Sequence, residues 1–364
     1  GKSMKKFGAL IVCICFCVAA VAAAEGVWVD ETWREVKRQV DCDGLPLVID
    51  ARVLQVAEDA MGQEYHTQAL SNAWMEEKMK AVDWSQLGCD TSSGSWRQPT
   101  NDWPEYKYIN GESIFPTFGV LAGNRFLFQK CDCEYAYWLS GAYPEQVDLS
   151  PIGTLTEAEI RKWAEKIAAI CGNQLGEPTA VFRGDQVEDI RASMERRLEQ
   201  EGLRYALDPA DAEEYLFMDV LFPVYFQGLR LYSGEYQGTE DGLEIVNLNM
   251  RIMVTRDHGI IQADSVLFDP ATFLPSTEPQ RLLSAEEALK RICDHYASMY
   301  LPGVKQVTIH QLALEYVAIT GDMSGSSGYT VYPTWVAKYT LESESGEAIT
   351  TTQGVHALTG EMLF

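Results

Sequence analysis

The chain has 364 residues, of which 46% are hydrophobic, and its 53 acidic residues outnumber 29 basic ones to give a formal net charge of −24. That apolar content supports a packed core and excludes a disordered chain, and the length calls for two or three domains. The acidic field excludes nucleic acid and anionic membrane surfaces as partners.

The first 24 residues read as a secretion leader. Gly1-Lys2-Ser3 is expected to be a vector-derived remnant ahead of Met4. Lys5 and Lys6 form a basic start, residues 7–18 are apolar and uncharged, and Ala22 and Ala24 supply the small residues a signal peptidase needs. Cleavage is expected after about Ala24, leaving a secreted or extracytoplasmic protein. The apolar run is shorter than the ~20 residues of a membrane span, and no second one follows, so no transmembrane span is expected after cleavage. Lipid attachment is not expected either, because Val12, Ile14 and Phe16 precede Cys13, Cys15 and Cys17 where a small residue belongs. Past the leader, Cys42, Cys89, Cys131, Cys133, Cys171 and Cys293 remain. An even number in an exported chain permits disulfides and leaves their pairing open, with buried free thiols as the alternative. Cys131 and Cys133 are too close in sequence to close a relaxed bond with each other.

Segment 25–150 is predicted as an N-terminal α+β domain. Residues 45–56 read as a strand, and Ser71 caps a helix carrying Met75, Met79 and Val82. A polar loop spans 90–99. Aromatic residues then crowd the chain, with Phe126 and Phe128, and Tyr135 and Tyr137, at strand spacing. Segment 151–275 opens with the capping box Thr156-x-x-Glu159. Ile160, Trp163, Ala164, Ile167, Ile170 and Cys171 follow on one helical face. A second helix is predicted over 185–201, ended by Gly202, with Val187, Ile190, Met194 and Leu198 inward. Strands follow over 215–231, broken at Pro223 and Gly228, over 246–254 with strict alternation, and over 260–268 beyond the turn Asp257-His258-Gly259. Segment 276–364 repeats the order. Ser284-x-x-Glu287 opens a helix with Ala285, Ala288, Leu289, Ile292, Tyr296 and Met299 inward, Pro302-Gly303 stops it, and strands follow around 305–319, 329–341 and 348–363. Residues 321–328 form a glycine-serine hairpin loop. The expected class is α+β, in tandem units of a helix laid on an antiparallel sheet.

The stretches Leu283-Ser-Ala-Glu-Glu-Ala-Leu289, Tyr332-Pro-Thr-Trp335 and Val355-His-Ala-Leu-Thr-Gly-Glu-Met-Leu363 resemble a PepSY-type unit, which implies that the tandem units are PepSY- or cystatin-like. More widely, 45–364 resembles an uncharacterised family of exported proteins and lipoproteins from Gram-positive bacteria, with Gly228-Leu-Arg-Leu231 and His258-Gly-Ile260 at that family's strand and turn. The plan is also similar to the extracytoplasmic regulators of envelope-stress histidine kinases. The resemblance implies a module that binds or restrains a protein partner, and no catalytic residues. Family members often carry a lipid-modified cysteine, and this chain departs from them there.

Motifs for chemistry are sparse. His66, His258, His295, His310 and His356 show no metal-ligand spacing. Cys131-Asp-Cys133-Glu134 could attract a soft metal, but a strand with two thiols fits it better. The loop 321–328 lacks the order of a nucleophile elbow and the helix of a phosphate cradle. Asp41-Cys-Asp43-Gly44 begins like a calcium loop but lacks its later glycine and glutamate. The acid pairs Glu213-Glu214 and Glu286-Glu287 sit where they favour a helix dipole or face water. No catalytic, cofactor-binding or metal-binding residue is therefore assigned, and no cofactor. The expected function is that of an exported, non-enzymatic binding or regulatory protein of the cell envelope, engaging a protein or peptide. The alternative is a secreted hydrolase or carbohydrate-binding protein whose groove is lined by Trp96, Trp103, Tyr106, Tyr108, Tyr137, Trp138 and Tyr143, residues that would otherwise fill a β core.

Overall fold

The computed structural model describes residues 26–100, 105–110, 114–121, 124–139, 146–202, 206–232, 244–246, 248–267, 269–299, 301–320 and 328–364. The leader 1–24, Trp103, Tyr143, Pro144, Asn247, Phe268 and loop residues 321–327 lie outside the described residues.

Among the described residues, 18 strands join in one hydrogen-bonded network. One arm is antiparallel and runs Ser95–Arg97, Tyr106–Ile109, Thr117–Leu121, Arg125–Gln129, Gly259–Val266, Asn249–Thr255, Phe217–Phe226, Ala180–Gly184. The other runs Trp33–Cys42, Leu45–Leu54, Val304–Thr320, Thr330–Ser343, Ala348–His356, and Leu45–Leu54 lies parallel to Val304–Thr320. The strand Phe217–Phe226 connects the arms. It turns at Gln227 and Gly228, both with positive φ (50° and 79°), as a two-residue hairpin of the primed kind requires. Leu229–Leu231 then returns parallel to Val304–Thr320.

This architecture corrects the expected tandem PepSY or cystatin-like units of an α+β fold. The helix Glu157–Cys171 does pack on the strands over 217–266, but those strands form no sheet of their own. They form the middle of an arm that continues into strands from 95–129, while a strand from near the start of the described chain lies beside Val304–Thr320. Hydrophobic alternation identifies a strand but carries no information about its partner, so a local repeat of helix and strands looked like a repeat of domains.

The helices form where their local signals place them. The Thr156 hydroxyl accepts the Glu159 N–H at 3.3 Å, and the helix Glu157–Cys171 buries Ile160, Ala164, Ile167, Ala168 and Cys171 before ending at left-handed Gly172. Burial of such a stripe stabilises by roughly 1.5–3 kcal/mol per large aliphatic side chain. The helix Val187–Glu201 buries Ile190 and Met194. At Ser284 the reciprocal capping box is complete. Its hydroxyl accepts the Glu287 N–H at 3.1 Å, and the Glu287 carboxylate accepts the Ser284 N–H at 2.7 Å. The Arg281 guanidinium, then the N–H and the side chain of Ser284, hold the Glu287 carboxyl down to about 2. The helix Ala285–Ser298 then lays Ala288, Leu289, Ile292 and Tyr296 on Leu47, Ile49, Val307, Leu312 and Trp335, and the Trp335 indole donates to the Leu283 carbonyl at 2.8 Å. Ser284→Ala is expected to cost about 1 kcal/mol, read as a lower denaturation midpoint with an unchanged denaturant slope.

Several local expectations fail: Met299, predicted inward, is exposed, and the predicted loop 90–99 contains the strand Ser95–Arg97. Tyr135 and Tyr137 sit on a short helix, Glu134–Tyr137, instead of a strand. Cys131 and Cys133 occupy the bend between the strand Arg125–Gln129 and that helix, so they are not the two thiols of a strand. The acidic Glu134 at the helix start and the Asp132 carboxylate accepting the Glu134 N–H at 3.0 Å favour the turn into the helix.

Candidate functional site

Asp132, Asp219, Arg230 and Glu315 are the fully buried Asp, Glu, Lys or Arg residues among the described ones. A buried charge is costly unless paired. Asp219 meets one guanidinium, accepting from Arg251 Nε at 2.8 Å, and Asp132 accepts from Arg197 Nε at 2.8 Å. Arg197 also meets Glu134, an exposed carboxylate, whereas the group around Arg230 is different because two buried carboxylates share one guanidinium. Arg230 Nε lies 3.4 Å from Glu31 Oε1 and 3.9 Å from Glu315 Oε1, and the three side chains are 5–7% exposed. No acceptor among the described residues reaches hydrogen-bond geometry at that Nε.

The fold assembles this group from four places. Tyr225 and Arg230 are register partners across the Gln227-Gly228 hairpin, and Arg230 is the register partner of Glu315 on Val304–Thr320. Three neighbouring strands thus set a phenol, a guanidinium and a carboxyl side by side. Glu31 arrives from the segment preceding the strand Trp33–Cys42. Its carboxylate accepts from the Tyr225 hydroxyl and, at 3.1 Å, from the Trp33 indole. The Trp33 ring takes the Arg230 guanidinium at 5.6 Å and that of Arg52 at 4.5 Å, both in cation–π range. A Cβ at Gly176 would stand 2.9 Å from the Tyr225 ring and 3.1 Å from Glu31 Oε1, so the side-chain-free position lets both approach. Burial pushes the Glu315 carboxyl up to about 7; Arg230 opposes this and Glu31 adds to it. Burial and the Glu31 carboxylate also push the Tyr225 hydroxyl up. The group can therefore hold or release a proton near neutrality, in a place that solvent hardly reaches.

No protein-family model matches the chain, and no curated protein matches it. Among solved structures it is similar to an uncharacterized protein from Eubacterium rectale ATCC 33656. The TM-score is 0.60 at 15% identity, over 87% of this chain and 90% of that one. At that identity the likeness speaks for the fold alone, and it supports the long mixed sheet over separate helix-on-sheet units.

The residues singled out in the sequence are dispersed. The His258 ring stacks on Tyr215 and sits 3.0 Å from Glu214 in its turn. His310 bonds Thr340 at 2.7 Å. His356 is buried; its Nδ1 accepts the Leu358 and Thr359 N–H groups, which leaves Nε2–H to donate to Glu64 at 2.7 Å. That ring organises the terminal turn. No group of three or more His, Cys, Asp and Glu among the described residues could hold a metal ion. Asp41 accepts the Gly44 N–H at 2.8 Å, closing the turn between the first two strands. Glu286 reaches across to Arg38 at 2.5 Å and Arg34 at 3.5 Å. Cys42 and Cys293 form a disulfide, while Cys89, Cys131, Cys133 and Cys171 are free. Burial pushes the Cys89 thiol up to about 11 and the other three to about 12, where few thiolates exist to attack anything.

The aromatic residues split into two sets. Tyr106, Tyr108, Phe118, Phe126 and Phe128 are fully buried, with Phe118 stacked on Trp84 at 3.9 Å and on Tyr108 at 4.8 Å. Tyr137 and Trp138 instead face outward from the short helix, beside Arg251 and Arg196. The described rings therefore line no common groove.

The sequence reading missed Glu31, Tyr225 and Glu315, and took Arg230 only as part of a strand. A signal was present: Glu315 is the one charge in the apolar run 312–319, and Arg230 is the one charge in 228–232. Charges embedded in such runs are either errors of assignment or paired inside the protein.

Proposed function

We propose that the chain is an exported, non-enzymatic envelope protein that binds a basic polypeptide segment of a partner on one polar sheet face. The carrying observation is the two-sided character of the sheet Trp33–Cys42, Leu45–Leu54, Val304–Thr320, Thr330–Ser343, Ala348–His356. The helix Ala285–Ser298 seals one side and is tied to it by Cys42–Cys293. The other side carries a row across three strands, Thr308, Thr340 and Thr350, followed by Arg52, Gln311 and Lys338. Hydrogen bonds from His310 to Thr340 and between Thr340 and Thr350 (2.8 Å) hold the hydroxyls in register. Exposed Glu35 and Asp50 stand on the same side as Arg52 and offset the two cations of the row, and the net charge of −24 gives the occupant its sign, because so negative a body speeds approach of a cationic chain. The disulfide supports folding in an oxidising compartment. The groups with reactive potential, the free thiols and Glu315, are turned inward, which supports binding over bond-making.

A photo-crosslinking side chain placed at Thr340 in producer cells should capture a polypeptide, with a yield that falls as salt rises. The same side chain at exposed Lys162, on the helix Glu157–Cys171, should capture none. Equal capture from both positions, or none from Thr340, would end this reading.

A further inference from the structure

We propose that segment 26–33 is a strap whose hold on the body of the protein is set by protonation within the Glu31–Arg230–Glu315 group. The strap lies along the protein through few bonds. Val29 N–H donates to the Leu175 carbonyl at 2.8 Å, Leu175 N–H donates to the Val27 carbonyl at 2.7 Å, and Gln55 N–H donates to the Thr32 carbonyl at 2.8 Å. Trp28 packs on Phe222, under the Arg161 guanidinium at 4.7 Å, and its indole donates to Glu165 at 2.7 Å. At the other end Glu31 is the strap's single buried charge, and it enters a place already holding one cation and one carboxyl.

The charge count explains the control. The titratable and charged groups facing Glu31 are Tyr225 on the strand Phe217–Phe226, Arg230 on Leu229–Leu231 and Glu315 on Val304–Thr320, with Arg52 of Leu45–Leu54 behind the Trp33 ring. The register partner of Glu315 on Thr330–Ser343 is the uncharged Thr334. With Glu315 protonated, the group is one carboxylate on one guanidinium and closes evenly. With Glu315 ionised, two carboxylates face one guanidinium that satisfies neither with good geometry, and the surplus negative charge is buried. Removing the strap relieves this, because it takes away the Glu31 charge and admits water while leaving Arg230 next to Glu315.

The direction of the pH effect follows. The closed strap holds the Glu315 proton up to about 7, against an ordinary carboxyl value of 4.5. Opening admits water and lowers the Glu315 carboxyl from about 7 toward the ordinary value, so it releases a proton in the range just below 7. The open fraction rises with pH, by up to about tenfold per unit, and levels off above about 7. The strap is tightest in acid and loosest in neutral medium. The reading concerns the strap alone and does not depend on the partner-binding face.

Amide hydrogen exchange of the intact protein at pH 5, 6, 7 and 8, corrected for intrinsic rates, tests this. Protection of Val29 and Leu175 should fall from pH 5 to 7 and then flatten, while Ile252 and Ala263, in the middle of the antiparallel arm, should not change. Glu315→Gln keeps the shape of the protonated side chain and should hold protection at its pH 5 level throughout. Glu31→Gln, with the Glu315 carboxyl intact and still buried under the strap, should lessen the slope without abolishing it, because burial is the larger cause of the raised Glu315 value. A wild-type profile without slope at Val29, or a Glu315→Gln profile that keeps the slope, would overturn the proposal. If a variant also loses protection at Ile252, it is unfolding as a whole, and the wild-type profile decides by itself.

Discussion

Arg230→Met will destabilise the fold by about 3–5 kcal/mol at pH 7.5, and by clearly less at pH 5.5. Removing one partner of a buried ionic group leaves the others uncompensated, and here two carboxylates are left. Methionine fills much of the volume of the arginine stem, so the loss reports charge more than a cavity. Without the guanidinium the Glu315 carboxyl is pushed further up, since the influence that lowered it is gone while burial remains. The folded variant then binds protons more readily than its unfolded chain does, so its stability rises as pH falls through that range. Denaturant midpoints at the two pH values measure this. Adding Glu315→Gln to Arg230→Met should recover a large part of the loss at pH 7.5 and little at pH 5.5. A penalty equal at both pH values, or no recovery by the second substitution, would mean that Arg230 acts through packing against Trp33 and not through its charge.

What the sequence disclosed, and what it withheld, divides along the range of the interactions. Ser71, Thr156 and Ser284 announce their helices because a cap is a contact between residues three apart, visible in the chain itself. The strand Asn249–Thr255 is legible for the same reason, since alternation is local. The pairing of Leu45–Leu54 with Val304–Thr320 joins residues some 260 apart, and no local pattern contains it. The buried ionic group sits beyond the same horizon. Glu31, Tyr225, Arg230 and Glu315 belong to four separate stretches, and each alone is an ordinary residue on or near a strand. The one clue within reach was a charge amid apolar neighbours, at Glu315 and again at Arg230. The aromatic residues over 96–138 show the converse limit. Their abundance was plain, but whether a ring faces a core or a groove is decided by what packs on it, and Trp84, stacked on Phe118, supplies that packing from outside the run.

Removal of the disulfide by Cys42→Ser with Cys293→Ser will lower stability by roughly 2–5 kcal/mol. The two cysteines are 251 residues apart in sequence with Cα atoms 5.7 Å apart, so the bond closes a very long loop in the unfolded chain, the situation in which a cross-link restricts that chain most. In the folded protein it ties the helix Ala285–Ser298 to the end of Trp33–Cys42, the outermost strand of its sheet. The remaining polar ties there are Glu286 with Arg34 and Arg38, which are 41–51% exposed, and exposed pairs of this kind contribute about 0–1 kcal/mol. Apolar contacts of Val36 and Val40 with the helix core remain, so the variant should fold but open first at this edge. Reductant should bring the wild-type denaturation midpoint down to that of the double variant, and should leave the variant unmoved. Equal midpoints for the wild type with and without reductant would show that the bond restrains nothing. The same difference ties the stability of this edge to the redox state of the compartment in which the chain folds. Made where thiols stay reduced, the wild-type chain should behave as the double variant does, with the edge strand and its helix protected by little more than their packing.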